Sequence, residues 1–428
     1  MSTTSADKNR WLIALSAVLI HLSIGSIYAY SIYQIPLNEA VGWSTSSVTS
    51  AFSVAVFVLG LTAAFLGKYV EKYGPRKSGL GAAVLYGLGM IGSGVSVAVE
   101  SLPLFIATFG VIGGMGIGLG YISPIGTLVE WFPDRRGMAT GLAVMGFGAG
   151  ALLTGPFGNF LMQNYGVAAT FFTLGALYFT MMAVGASYLQ KPPEGWLPDG
   201  MEDVENAEEK ANSSLSGLDV LTATEARTSP RFWMVWIIIF INVSAGIMLL
   251  AFASPMLQQI GGATATTAAF ITGYIGIFNG GGRIVWASLS DYIGRTTTYA
   301  AFFVIQVVAF FVMPQVAGVW FLAGLIFLVI TCYGGGFACL PAYLSDLFGT
   351  KEVSAIHGYA LTAWSVAGVA GPQLASIILE STGNYTSALY VMNGVLVVGL
   401  ATVVVLRWRI GKLQDASRAP SAAEAATD

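Results

Sequence analysis

The chain has 428 residues, of which 55% are hydrophobic and only 10% are charged, and its mean hydropathy is +0.72. Soluble globular domains carry about 25% charged residues, so these values exclude a soluble enzyme. Most of the surface is expected to face lipid. The net charge of −3 comes largely from one acidic segment and identifies no partner.

Apolar stretches of about 20 residues, the length that crosses a hydrocarbon core of roughly 30 Å, recur from Trp11 to Arg409. They predict an all-α integral membrane protein with twelve transmembrane helices. The first stretch is too long for a signal peptide and lacks a small-residue cleavage site, so we interpret it as the first helix. The predicted spans are 11–35, 47–70, 78–98, 102–129, 137–163, 167–189, 231–257, 265–289, 297–317, 319–345, 353–379 and 386–408.

An acidic segment separates the first six spans from the last six. Residues 191–229 contain Pro192, Pro193 and nine acidic residues, a composition typical of a solvated connection. The predicted organisation is a six-helix bundle at 1–190, a cytoplasmic linker at 191–230, a second six-helix bundle at 231–410 and a cytoplasmic tail at 411–428.

The two halves resemble each other at matching helix positions, which indicates an internal duplication. His21-Leu-Ser-Ile-Gly25 in the first span parallels Asn242-Val-Ser-Ala-Gly246 in the seventh. Two further pairs match Glu71 and Gly74 with Asp291 and Gly294, and Gly155-Pro156 with Gly371-Pro372. A duplicated six-plus-six arrangement predicts two parallel halves with a solute site between them near the bilayer midplane.

The basic residues predict the orientation, because cytoplasmic loops are rich in Lys and Arg. With the N-terminus inside, eighteen of the nineteen Lys and Arg residues fall at cytoplasmic ends, loops or tails, and only Arg283 lies within a span. We therefore expect a multi-pass protein of the inner (plasma) membrane with both termini in the cytoplasm.

The sequence offers no sign of enzymatic chemistry. Cys332 and Cys339 both fall in the tenth span, which argues against a disulfide framework or a zinc site. The glycine runs lie in apolar helices without a following Gly-Lys-Ser/Thr, so they do not predict a nucleotide site. We expect neither catalytic residues nor a metal or organic cofactor. A non-transporting sensor is disfavoured because the linker and tail leave little room for an output domain.

The loop after the second span carries a motif. The segment Gly67-Lys-Tyr-Val-Glu71-Lys72-Tyr-Gly74-Pro75-Arg76-Lys77 resembles the loop motif G-x-x-x-D-R-x-G-R-[RK] of the major facilitator superfamily, with Glu and Lys in place of Asp and Arg. A degenerate copy follows the eighth span and contains Asp291, Gly294 and Arg295. The acid can accept hydrogen bonds from a helix N-terminus, and the cation can hold two helices at a cytoplasmic gate. Plain basic loops are the alternative.

Other residues narrow the resemblance to one branch. The segment from Trp131 to Gly137, with Ala139 and Gly141, is similar to the oxalate/formate antiporters and the related monocarboxylate transporters, and so is Arg283. The similarity covers about residues 10–410. It implies two six-helix bundles of the major facilitator fold, and it implies transport of small organic anions by alternating access.

Arg283 is the strongest single signal in the sequence. A charge at the bilayer centre is costly, so an intramembrane ionisable residue indicates a functional site. A structural salt bridge is the alternative, but every acidic residue falls near a membrane end, in a loop or in a tail. We therefore predict that Arg283 binds a substrate carboxylate in a two-point fork.

Five further residues are predicted to complete the substrate site. Asn279 lies one helical turn before Arg283 and shares its face. By resemblance to the oxalate/formate branch, Tyr28, Tyr121, Tyr333 and Phe337 occupy positions where aromatic residues line the site, although core packing is the ordinary role of any single aromatic. The animal lactate carriers typically have Asp, linked to proton coupling, where this chain has Asn279.

The charge of the site predicts the substrate class. The oxalate exchanger has a second cation, a Lys, at the position we align with Trp364. One Arg neutralises one carboxylate, so we predict a monocarboxylate, with lactate first and pyruvate behind it. Entry of an anion against a negative interior costs about 2.3 kcal/mol per 100 mV, and a co-transported proton removes this cost. Proton symport is the favoured mode and oxalate/formate-type exchange the alternative; the sequence assigns no proton carrier.

Overall fold

The computed structural model describes residues 8–132, 136–193, 196, 218, 220–349 and 352–418. Every regular element in these ranges is helical. Twelve long helical segments, α1–α12, follow one another along the chain, and a short helix, Ala223–Thr228, precedes α7. Their bounds are Arg10–Val41 (α1), Thr45–Phe65 (α2), Gly67–Ala98 (α3), 102–131 (α4), 136–165 (α5), 167–188 (α6), Pro230–Gln259 (α7), Ala265–Ile293 (α8), Arg295–Gln315 (α9), Val319–Phe348 (α10), Val353–Thr382 (α11) and Tyr385–Arg418 (α12).

The helices confirm the predicted fold class. Ten described segments are long and apolar enough to cross a membrane. One of them contains α5 and α6, which Gly166 separates with a φ of 82°. Helix α8 is not among these ten segments. Its 29 residues nevertheless give it a length of about 43 Å, which exceeds the thickness of the hydrocarbon core. The chain is therefore a multi-pass, all-helical membrane protein.

Several predicted span ends were wrong. Helix α2 ends at Phe65 rather than residue 70, because Leu66 leaves helical geometry (φ −89°, ψ 1°) and a new helical turn begins at Gly67. At the other extreme, α1 continues to Val41 and α12 to Arg418. Hydropathy marks where lipid contact ends, whereas a helix continues until its backbone is capped or broken.

Glycine conformations repeat between the two halves. Gly42, Gly74 and Gly166 follow α1, interrupt α3 and separate α5 from α6, all with positive φ. Gly262, Gly294 and Gly383 have positive φ at the corresponding helix ends of the second half. Positive φ favours glycine because a Cβ is strained there. This agreement supports the duplication. It also explains in structural terms why the loop motif has glycine at Gly74 and Gly294.

The structure does not test most of the predicted domain boundaries. Most of the predicted linker, the last part of the tail and Pro133, Asp134 and Arg135 of the Trp131–Gly137 segment lie outside the described residues. The division at 190, 230 and 410 stays a prediction.

The basic residues of several helices meet at one end of the bundle, which we call the basic end. Lys8 before α1 donates to the carbonyl of Tyr188 at the end of α6, at 3.0 Å. In the second half, Arg231 at the start of α7 donates to the carbonyl of Leu347 at the end of α10. The residue Arg407 in α12 lines a surface pocket with the end of α8 and the start of α9.

The second copy of the loop motif forms ion pairs at the basic end. Arg295 pairs with Asp291 one turn before it, and its Nε lies 3.8 Å from Oδ2 of Asp346 at the end of α10. These contacts connect α8, α9 and α10. In the first copy Arg76 is exposed, and the surroundings of Gly67 and Glu71 lie outside the description, so a gate function of that copy stays a prediction.

Candidate functional site

Arg283 lies in the middle part of α8 and faces a small cavity between the two halves. The cavity is lined by Tyr28, Tyr121, Phe147, Gly148, Asn279 and Arg283. Its volume is about 10 Å³, roughly the space that one water molecule requires. The site therefore has little free volume in this conformation.

The guanidinium is held by neutral groups. Its Nε donates to Oδ1 of Asn279 at 3.3 Å, one helical turn away as the sequence predicts. The ring of Phe337 lies 5.4 Å from the guanidinium carbon, within the range of a cation–π contact. Tyr28, Tyr121 and Tyr333 also lie close enough to interact electrostatically with the cation.

No described carboxylate forms an ion pair with Arg283. The acidic side chains in the recorded ion pairs are Glu130, Asp291 and Asp346, and their partners are Lys191 and Arg295. A partly buried cation without a carboxylate counter-ion is costly, so this arrangement is suited to an anion that enters from solution.

Ring contacts connect the four predicted aromatic residues, partly through Phe147. The rings of Tyr28 and Tyr333 are 6.4 Å apart, and those of Tyr333 and Phe337 are 5.3 Å apart. Tyr121 completes the wall through an edge contact of 5.8 Å with Phe147. The structure thus brings the predicted residues from α1, α4, α8 and α10 together; their role in binding stays a proposal.

Two lining residues, Phe147 and Gly148, were not predicted from the sequence. Phe147 contacts the Tyr28 ring at 4.8 Å and lies in both cavities described here. The only sequence signal was a lone aromatic inside the run Gly146-Phe-Gly-Ala-Gly150. Gly148 lies where the backbones of α5 and α8 touch, and a Cβ there would be 2.3 Å from the carbonyl oxygen of Gly276.

A second small cavity adjoins the first and is apolar. It shares Tyr28 and Phe147 with the cavity at Arg283, and Trp364 and Tyr333 form another part of its wall. The remaining lining residues are Ile27, Phe52, Val56, Leu59, Ile247 and Leu250. The two compartments place a hydrocarbon environment beside a cationic one.

Two hydrogen-bond donors near the cavities are unsatisfied. Nδ2 of Asn279 and Nε1 of Trp364 are buried and make no hydrogen bond within the described part of the chain. Buried donors usually have partners, because an unpaired one carries its full desolvation cost. Acceptor atoms of a bound molecule would satisfy them.

Polar contacts between the halves lie away from the basic end. Gln34 of α1 donates to the carbonyl of Ala251 in α7 at 2.9 Å, and the backbone N–H of Ser46 donates to Glu380 of α11 at 2.7 Å. Gln373 of α11 donates to Ser50 of α2 at 3.0 Å.

Part of the site keeps contact with solvent. Tyr121, Phe337 and Arg283 are partly exposed, whereas Tyr28 and Tyr333 are buried. The polar contacts between the two halves close the end of the protein opposite the basic end in this conformation.

The comparisons with known proteins agree with this architecture. The oxalate:formate antiporter of Oxalobacter formigenes is 28% identical over 93% of this chain and 92% of its own length. Monocarboxylate transporter 11 of Homo sapiens is 24% identical over 90% of this chain and 80% of its own length. A solved structure, that of a D-xylose-proton symporter, has a TM-score of 0.66 at 17% identity and covers 92% of this chain and 97% of that one.

The predicted resemblance to the oxalate/formate and monocarboxylate branch is confirmed by these relatives. A sequence model of the family described as Major Facilitator Superfamily matches residues 13–372 and, in a second match, residues 243–426. Together with the twelve helices and the duplicated halves, this match places the chain in the Major Facilitator Superfamily of transporters.

Proposed function

We propose that this protein is a secondary active transporter of small monocarboxylates, with L-lactate favoured and pyruvate as a second substrate, working by proton symport and alternating access. The observation that carries the proposal is the guanidinium of Arg283, which has no carboxylate partner among the described side chains and faces a cavity between the halves. A carboxylate matches the guanidinium in charge and in fork geometry.

The two cavities suit a substrate that has one charged end and one apolar end. A carboxylate would lie against Arg283 and Asn279. The short hydrocarbon end would extend into the apolar cavity that Trp364 lines. A dianion such as oxalate would place its second charge in that apolar compartment at a high desolvation cost. Relatives named for oxalate and for monocarboxylates support a small organic anion.

Proton symport is proposed on energetic grounds. An anion that enters alone works against the membrane potential at about 2.3 kcal/mol per 100 mV, and one proton per anion makes the cycle electroneutral. We place the protein in the plasma membrane with its basic end in the cytoplasm, following the distribution of Lys and Arg. In that orientation the conformation described above is closed to the outside.

The test is uptake of labelled L-lactate, pyruvate, formate and oxalate into proteoliposomes, measured against protein-free liposomes. A gradient of one pH unit, alkaline inside, corresponds to about 1.4 kcal/mol and should accumulate lactate about tenfold. An imposed voltage alone should drive no net uptake. Counterflow from preloaded vesicles combined with no accumulation in a pH gradient would instead favour the alternative, exchange of the oxalate/formate type.

Replacing Trp364 tests the proposed charge limit. We expect Trp364→Lys to weaken lactate uptake and to increase oxalate binding at least tenfold, because a second cation beside the apolar compartment can pair with a second carboxylate. Binding is measured as competition of unlabelled oxalate with labelled lactate. The matched variant Trp364→Phe keeps an aromatic ring at the positions now in contact with Tyr121 and Phe337 and should keep the preference for lactate.

A further inference from the structure

His21 lies on α1 beside the proposed substrate site and is completely buried. Its Nδ1 is 2.9 Å from the backbone carbonyl oxygen of Ala17, one turn earlier on the same helix. A carbonyl oxygen only accepts, so Nδ1 carries the hydrogen in this contact. In a neutral ring Nε2 is then a free acceptor, and no described group forms a hydrogen bond with it.

The ring of His21 contacts the aromatic wall of the cavity. It meets Tyr121 at 5.9 Å and Phe147 at 6.4 Å, both edge to face. Tyr121 also interacts with Arg283. His21 and Arg283 therefore share one neighbouring side chain, and opening of the cavity wall would expose both.

Among the described residues whose contact with the His21 ring is established, Tyr121 of α4 is titratable, and it also interacts with Arg283 of α8. From α5 the described neighbours are Gly146 and Phe147, which do not titrate.

The repeat supplies a comparison within the same chain. Asn242 occupies the matching position in α7, but its side chain is built into the packing of its own half. Its Oδ1 accepts from Gln306 at 2.7 Å, and its Nδ2 donates to the carbonyl of Cys332. Both ends of Asn242 are occupied, whereas one ring nitrogen of His21 is free.

We propose that His21 is the proton-binding residue of the transport cycle, and that Nε2 takes up one proton when an anion neutralises Arg283. This inference rests on the proposed monocarboxylate transport. In the empty cavity a second cation near Arg283 is disfavoured by repulsion and by burial. A bound carboxylate removes the repulsion, so anion and proton bind together, cross together and leave together, with the proton returning to water from Nε2.

The step is charge-balanced. Empty carrier holds one positive charge at Arg283, and loaded carrier holds the cations of Arg283 and His21 together with one carboxylate, which again sums to one positive charge. Each cycle therefore moves no net charge. Without a titratable group at position 21, the loaded carrier would be neutral and net uptake would carry the charge of the anion.

The experiment compares wild-type protein with His21→Asn, the residue that the repeat uses, and with His21→Gln in proteoliposomes. We expect lactate counterflow to stay within about threefold of wild type. Net uptake driven by a pH gradient should fall at least tenfold, and net uptake should instead respond to an inside-positive voltage. His357→Asn changes the other histidine of the chain, near the start of α11, and should behave as wild type.

The outcomes separate this inference from the function itself. Retained pH-driven accumulation in both His21 variants would overturn it while leaving lactate transport intact. Loss of counterflow together with net uptake in both variants would also overturn it, because His21 would then be a structural or substrate-contact residue. Absence of lactate transport by the wild-type protein would refute the proposed function.

Discussion

Arg283→Ala is expected to reduce uptake of labelled L-lactate into proteoliposomes by roughly 30-fold or more. Removing one partner of a buried, hydrogen-bonded charge pair typically costs about 2–5 kcal/mol, and each 1.4 kcal/mol is a factor of ten. The guanidinium is the only cation among the lining residues of the two small cavities at the candidate site. The loss should appear mainly as weaker lactate binding, measured by the concentration dependence of uptake.

Two variants control this result. Arg283→Lys keeps the charge but loses the planar fork and the flat face over Phe337, so we expect an intermediate loss with a raised KM. Arg409→Ala removes an exposed arginine near the end of α12 and should transport as wild type. Robust uptake by Arg283→Ala with unchanged affinity would place the substrate elsewhere.

Some of these features are accessible from sequence because they follow from local physics. The twelve helices reflect the hydrophobic length that lipid imposes on each segment, and the i, i+4 relation of Asn279 and Arg283 follows from helix geometry. Gly74 and Gly294 are repeated motif residues, and their positive φ explains why glycine occupies both positions. In each case the information lies within a few neighbouring residues.

Other features depend on how distant helices meet. Phe147 is one of many phenylalanines in apolar helices, and only the placement of α5 against α1 puts it in the cavity wall. The end of α2 was predicted too late because Val70 continues the apolar pattern past the break at Leu66. The free nitrogen of His21 likewise becomes visible only when its surroundings are known.

The second large effect is expected from a substitution at the contact between α5 and α8. At Gly276 a Cβ would lie 1.7 Å from the carbonyl oxygen of Gly148, far inside any van der Waals contact and against backbone rather than a movable side chain. Gly276→Ala therefore cannot adopt this conformation without separating the two helices. Close approach through small residues is a common basis of helix contacts in membranes.

We expect Gly276→Ala to lower lactate turnover at least tenfold and to shift the protein away from the conformation that is closed opposite the basic end. The shift can be measured by maleimide labelling of a cysteine introduced at Ser50, whose hydroxyl now accepts a hydrogen bond from Gln373 across the two halves. Labelling of Ser50→Cys should become faster in the Gly276→Ala background, because this contact opens when α5 and α8 separate.

The matched control lies on the same helix. Gly281→Ala adds the same methyl group five residues further along α8, where no atom lies within 4 Å of the new Cβ. This variant should transport and label as wild type, so helix propensity alone cannot explain a difference between the two. Equal effects of both substitutions, or normal turnover of Gly276→Ala, would show that alternating access does not require the backbone contact between Gly148 and Gly276.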